Sequence, residues 1–477
     1  MNTTSNIHLN GYRRGGALRW ALLAGIIAGA LGVGACGSGE ADDGQTGGGE
    51  EASAPSTIPQ PTEAQLKAAG LADLPLAPES KRLDIEAPTF SNPTEVTNPL
   101  FPVSELESVV FSGIVDDKPF HTETTLLPET RIIEWAEGQQ VEAVISQYTA
   151  FIDGRIEEVA LDYYAQADDG SVWYMGEDVT DFNSEGLSDG TAGTWLAGRE
   201  GPPEMIMPAD PQVGDVHRAE NIPAIAFEEV EIKTIDETQP GPVGPVEGVM
   251  VARELHDDGT YSDKVFAPGY GEFFTAHGGE VEAMALAIPT DASSEPVPPE
   301  LEALPEEATA TLDSVEAGDW AAAEAGAKRI ADSWASFQET GPPRRLAKEM
   351  DRATRALTAA TDSRDPEAAG NAAIDVGQSA LDLELRHLPQ PEIDLARFGL
   401  WTRQIVVHAA AEDMGGVNGD VTMLELVRDR FGHTLEPADL TALDAHIEVL
   451  RDAVVEVDVR AAADEAKRLQ VTLSGLG

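Results

Sequence analysis

The hydrophobic repeat of this chain changes once, and that change decides its architecture. From about 98 to 288, apolar residues come in short runs cut by turn formers, and no ten-residue stretch keeps a 3.6-residue period. Past about 306 they recur at threes and fours over long segments. Between the two lies Ser293 to Pro305, where Pro296, Pro298, Pro299 and Pro305 read as a linker. The expected fold class is therefore α+β in two domains. An antiparallel β domain, a curved sheet or a sandwich, precedes an up-and-down α-helical bundle.

The first half has candidate strands at 108–115, 120–127 and 130–134. Asp153-Gly154, Asp169-Gly170 and Asp258-Gly259 sit between β-rich flanks, and an Asp-Gly pair supplies the positive φ that a tight hairpin wants. The spacing pairs 141–152 with 155–165, followed by 171–176, and 249–255 with 261–266. Proline-rich stretches at 201–203, 207–211 and 240–245 are excluded from central strands, because proline has no N–H to give the ladder.

In the second half, Trp320, Ala323, Ala327, Ile330, Trp334 and Phe337 line one helix, with Asp319 as its N-cap. Leu346, Met350, Ala353 and Leu357 line a second, which stops before Asp365-Pro366. Ala369, Ala373, Val376, Ala380 and Leu383 line a third. A fourth turns Leu395, Phe398, Ile405 and Ala409 inward, ends at Gly415-Gly416-Val417-Asn418-Gly419, and is followed by a short fifth capped by Asp420. In the last, Leu440, Leu443, Ile447, Leu450, Val454, Val457 and Ala461 form a coiled-coil-like seam.

Among the 477 residues, 85 are acidic and 31 basic, a formal net charge of −54. Such a surface repels nucleic acid and anionic lipid, so neither is an expected partner. It suits solubility in a salty medium, where screening limits self-repulsion. Residues 36–90 read as an acidic, Gly-rich tether. Within it, 37–62 bury too little to offset their ordering entropy, and 63–90 are ambiguous, with a short helix near 63–67.

Cys36 is the chain's one cysteine. Arg13, Arg14 and Arg19 precede an uncharged, mostly apolar run of 16 residues from Trp20 to Ala35. That is short of the roughly 20 a bilayer-spanning helix needs. The basic start, short apolar core and small residues of Val33-Gly34-Ala35-Cys36 read as an export signal. The segment resembles a bacterial lipoprotein signal ending in a lipobox. The resemblance implies cleavage after Ala35, lipid on Cys36, and a membrane partner reached through that lipid. It places the protein on the outer face of the cytoplasmic membrane or in the periplasm. With Cys36 so used, the fold has no disulfide.

A second resemblance rests on linked motifs. They are the aromatic block from Tyr164-Ala165-Gln166 through Asp169-Gly170 and Val172-Trp173-Tyr174 to Gly176-Glu177-Asp178, then Gly193-Thr194-Trp195, Ile206-Met207-Pro208-Ala209, Val213-Gly214-Asp215 and Phe266-Ala267-Pro268-Gly269-Tyr270-Gly271. Their order resembles a family of uncharacterised bacterial extracytoplasmic and lipoprotein domains, over about 98–288. The resemblance implies a β-rich envelope domain and brings no catalytic residues.

Tyr163, Tyr164, Trp173 and Tyr174, with Glu177 and Asp178 at the rim, are the candidate ligand cleft; the same rings stacked across a hairpin make an ordinary core. Glu384 and His387 have Glu-x-x-His spacing and, with His408 and His446, are the metal candidates, against the alternative of locally satisfied histidines. Asp162, Glu177 and Asp178 are carboxylates a hydrolase could use. Ser188 lies in a nucleophile-elbow spelling, Gly186-Leu187-Ser188-Asp189-Gly190, but in loop context. No phosphate-binding loop, His-Glu-x-x-His or Cys-x-x-Cys occurs, and no cofactor is expected. The expected function is a non-enzymatic binding or assembly module for an envelope ligand or protein partner. The alternatives are a metal-binding lipoprotein acting through the bundle and a carboxylate- or serine-dependent hydrolase in the β domain.

Overall fold

Period-two alternation and tight turns produce one continuous antiparallel sheet of fourteen strands in the computed structural model, which describes residues 55–277 and 280–476. The expected signal and Val33–Cys36 lie outside the described residues. The strands are β1 (Ser108–Val115), β2 (Lys118–Ala136), β3 (Gln139–Ile152), β4 (Arg155–Gln166), β5 (Val172–Phe182), β6 (Ser188–Gly190) and β7 (Trp195–Leu196), then β8 (Glu204–Met207), β9 (Val216–Ile222), β10 (Ala226–Pro240), β11 (Pro245–His256), β12 (Tyr261–Ala267), β13 (Gly271–His277) and β14 (Glu280–Ile288). Their spatial order is β6-β5-β4-β3-β2-β1-β14-β13-β12-β11-β10-β9, and β7 and β8 also pair with β5. Two meanders thus meet where the first strand pairs with the last, Ser108 opposite Ile288.

The sheet curves onto itself. Tyr164 and Tyr174 of β4 and β5 and Met207 of β8 share one buried cluster with Ala219, Val230, Ala252 and Phe266 from β9 to β12. Of the two expected forms, a curved sheet is the one adopted. Asp153 and Gly154 both have positive φ, 53° and 79°, as the β3–β4 hairpin requires. Two expected strands, 120–127 and 130–134, are one: β2 runs through Pro128, and its pairing with β3 shifts between Leu126 and Thr130. A bulge there absorbs the missing N–H.

Part of the expected tether, 36–90, is folded. From residue 55 the chain lies against the sheet, with Ile58 and Leu71 buried and Arg82 bridged to Val216. Helix α1 (Glu63–Ala68) is held by a capping box between Thr62 and Gln65.

The second half is helical: α2 (Pro299–Glu316), α3 (Trp320–Gln338), α4 (Arg344–Ser363), α5 (Pro366–Glu384), α6 (Gln390–Ala410), α7 (Met414–Phe431), α8 (Pro437–Val455) and α9 (Val459–Leu473). Each packs on the next; α2 also packs on α5, and α6 on α9, which closes two successive four-helix groups. Three expectations change. The Pro-rich linker ends earlier, because Pro299 takes the N1 position, where a missing N–H costs nothing, and Pro305 lies inside α2. The glycines at 415–419 start α7 instead of ending a helix, with Asp413 as N-cap. The seam of the last helix is cut at Val457, whose φ is 56°, and Asp458 caps α9. Val457 is accordingly exposed. Among the described residues no helix is long and apolar enough to cross a membrane.

The helices pack on the outer face of β1–β5 and β14. Val110, Leu286 and Ile288 join the core of α2–α5, while Phe151, Ile156, Val159 and Phe182 join that of α6–α9. At the centre of this contact, buried Glu123 of β2 accepts from Arg397 of α6 and from Arg430 of α7, both at 2.5 Å. Arg397 also donates to Asp382 at 2.5 Å, and Arg430 to Gln147 at 2.6 Å. Burial would raise Glu123, but the two guanidiniums hold it well below the usual carboxylate range.

Candidate functional site

The face of the sheet turned away from the helices encloses a cavity of about 460 Å³, within the range of small-molecule sites. Because side chains alternate, alternate residues of a strand line it, as Glu158, Ala160, Asp162 and Tyr164 of β4 do. Thr122, Ser146, Asp162 and Tyr164 come from the first meander; His217, Glu228, Glu254 and Lys264 come from the second.

A local irregularity sets the aromatic wall. Pairing between β4 and β5 shifts so that Tyr163 faces Gly176 while Tyr164 faces Tyr174, leaving Met175 as an extra residue. Gly176 carries φ 123°, and a Cβ there would come within 2.4 Å of the Trp195 carbonyl. Only glycine admits β7 this closely. As a result Tyr164 and Tyr174 stack at 4.9 Å, with Phe101 edge-on to Tyr164 at 5.1 Å and Trp195 edge-on to Tyr174 at 5.4 Å.

The six residues of the expected cleft therefore divide. Tyr164 and Tyr174 line the cavity. Tyr163 faces the other way, covered by Arg131 at 4.5 Å, and donates to Asp178 at 2.6 Å. Trp173 donates to Ser171 at 2.9 Å and does not line the cavity. Glu177 lies directly across from Asp162, fully buried, and neither of its carboxylate oxygens accepts a hydrogen bond.

Carboxyl groups crowd this interior. Tyr174 donates to Asp162 at 2.6 Å, and Trp195 donates to Glu220 at 3.3 Å. Burial pushes Asp162 up to about 7 and Glu220 up to about 8. Burial, then Glu220 and Asp162, push Glu177 well above its ordinary value. Burial, then Glu254, does the same to Glu228. Glu254 is the exception: against its burial, Lys264 at 3.2 Å holds it low. Sequence reasoning missed Glu228, Glu254, His256 and Lys264. Glu228 and Glu254 carried a signal, as acids two positions from apolar residues on the same strand face: Val230 for Glu228 and Ala252 for Glu254.

Among the described residues, two groups of acids and histidines are close enough to share an ion: His121 with Glu123 and Asp382, and Glu228 with Glu254 and His256. Arg397 and Arg430 already neutralise the first, and Lys264 sits on the second. Glu384, His387, His408 and His446 are not brought together. His387 Nδ1 lies 2.8 Å from the Glu295 carbonyl, and His408 Nδ1 lies 2.7 Å from Asp420. His446 is held between Glu465 at 2.5 Å and Thr472 at 2.8 Å. Burial, then Glu302, raise Glu384 to about 7. Ser188 is exposed on β6, and the element that follows is a strand, not the helix an elbow needs.

No protein-family model matches the sequence, and no curated protein matches it.

Proposed function

We propose that this protein is a lipid-anchored binding protein of the cell envelope whose curved β sheet holds a small ligand. The observation that carries the reading is the 460 Å³ cavity, built by strands from both meanders and walled by stacked aromatic rings beside buried polar groups. Apolar walls with a few convergent polar atoms are the usual make-up of a ligand site. The helical half supports the outside of the sheet through the Glu123 ion network and leaves the inner face to the ligand. The anchor rests on the lipobox resemblance of Val33-Gly34-Ala35-Cys36.

The test uses the chain carrying Cys36→Ser. Nile red, a neutral apolar dye, should bind saturably at one per chain with enhanced emission. Ala160→Trp, which fills the cavity from β4, should abolish that binding and leave the far-ultraviolet spectrum unchanged. Dye binding that survives Ala160→Trp, or none at all to folded protein, removes the reading. The same chain tests the anchor: labelled palmitate should enter the wild type and not Cys36→Ser.

A further inference from the structure

The cavity wall is rich in carboxyl groups and poor in cations. Its carboxyls include Glu158, Asp162, Glu228, Glu254, Glu272 and Glu282, while among the described residues Lys264 is the only lysine or arginine lining it. That ammonium is already committed: its Nζ lies 3.2 Å from Glu254 and 3.9 Å from both Glu228 and Glu272. Several other polar atoms of the wall lack hydrogen bonds, the Tyr148 hydroxyl among them. His217 is 1% exposed and Glu228 5% exposed, yet His217 Nδ1 has no hydrogen-bond partner and Glu228 Oε2 has only the 3.9 Å ion pair with Lys264. Glu282 Oε1 has no hydrogen-bond partner either. His217 is kept neutral, since burial lowers its affinity for a proton, so it offers no second cation.

We propose that the ligand is an organic amine: a protonated nitrogen carried on an apolar body. This rests on the reading of the cavity as a ligand site and names the chemistry of its occupant. A buried acceptor without a donor forfeits the hydrogen bonds it made in water, which a multi-donor ammonium would restore. An anion would face Glu254, which Lys264 holds ionised, and a neutral hydrocarbon would leave the polar wall atoms bare, whereas a bound ammonium supplies the counter-charge that lets Glu228 and Glu282, pushed up by burial in the empty site, ionise. The apolar body has its own surface in Phe101, Leu106, Phe111 and Phe266. A divalent metal fits less well, because the Glu228–Glu254–His256 group already faces the Lys264 ammonium.

The experiment displaces Nile red from the Cys36→Ser chain at neutral pH with three probes that share one tail: decylamine, 1-decanol and decanoate. Decylamine should displace the dye at a concentration about tenfold below that of decanol, as one charge-assisted hydrogen bond provides, with decanoate weakest. Glu228→Gln should cut the amine-over-alcohol preference to about threefold or less, and Glu282→Gln is the second variant should the first not fold. Equal displacement by amine and alcohol, preference for decanoate, or displacement by none of the three overturns the amine. If the dye never binds, the ligand-site reading fails first, so the two failures are distinct.

Discussion

At the scale of single residues, the most consequential side chain is one that the sequence did not single out. Glu123 is an ordinary acid in a strand, and its partners stand 274 and 307 residues away. Buried charge is tolerated there because both guanidiniums and Gln147 complete the hydrogen bonding. Arg397→Ala would leave Glu123 and Asp382 short of a counter-charge, and we expect a loss of about 3–5 kcal/mol in urea unfolding. A loss under about 1 kcal/mol would show that the network does not hold the two halves together. The aromatic block teaches the complementary point. Its residue types were legible, but which rings meet depends on one bulged residue, Met175, which turned Tyr163 and Trp173 away and brought Tyr164 onto Tyr174.

Among the elements, α7 shows how composition can mislead. Three glycines in six residues look like a break, yet Met414–Phe431 is helical. The reason lies across the interface: a Cβ on Gly415 would stand 1.4 Å from the Glu185 carbonyl, and one on Gly186 would stand 2.5 Å from that of Gly415. Asn418 donates to the Gly186 carbonyl at 2.7 Å and fixes the approach. The glycines are thus a contact surface for the β5–β6 turn. Gly415→Ala should destabilise the protein by about 1–3 kcal/mol in the same unfolding assay. Gly399→Ala in α6, where no atom stands within 4 Å of the new Cβ, should be neutral or gain up to about 1 kcal/mol. Equal effects at the two sites would refute the contact.

For the molecule as a whole, the buried carboxyls couple stability to pH. Asp162 near 7 and Glu220 near 8 lie above their unfolded values of about 4. Between those limits the folded state holds protons that the unfolded chain has released. Their contribution is complete below about pH 4 and is lost as pH rises through about 8. Glu123 works in the opposite direction: its contribution is present above its unfolded value and is lost on strong acidification. The melting temperature of the empty protein should therefore fall from pH 5 to pH 9, and Glu220→Gln should flatten that fall. Self-repulsion of a −54 chain also grows with pH, so the difference between wild type and variant decides the matter. Parallel profiles would contradict the assignment.

The sequence by itself determined the two-part α+β order, the β3–β4 and β11–β12 hairpins and most of the helix-lining residues, because hydrophobic period and turn chemistry are local properties. Only the tertiary structure decided that fourteen strands form one curved sheet, that residues 55–90 fold against it, and that acids from strands remote in sequence face one cavity. Those outcomes depend on pairing between strands as distant as β1 and β14, on a bulge and on glycine approaches across the interface. The physical reason is that a strand's own alternation says which residues share a face, whereas what that face encloses is fixed only when the sheet closes around it.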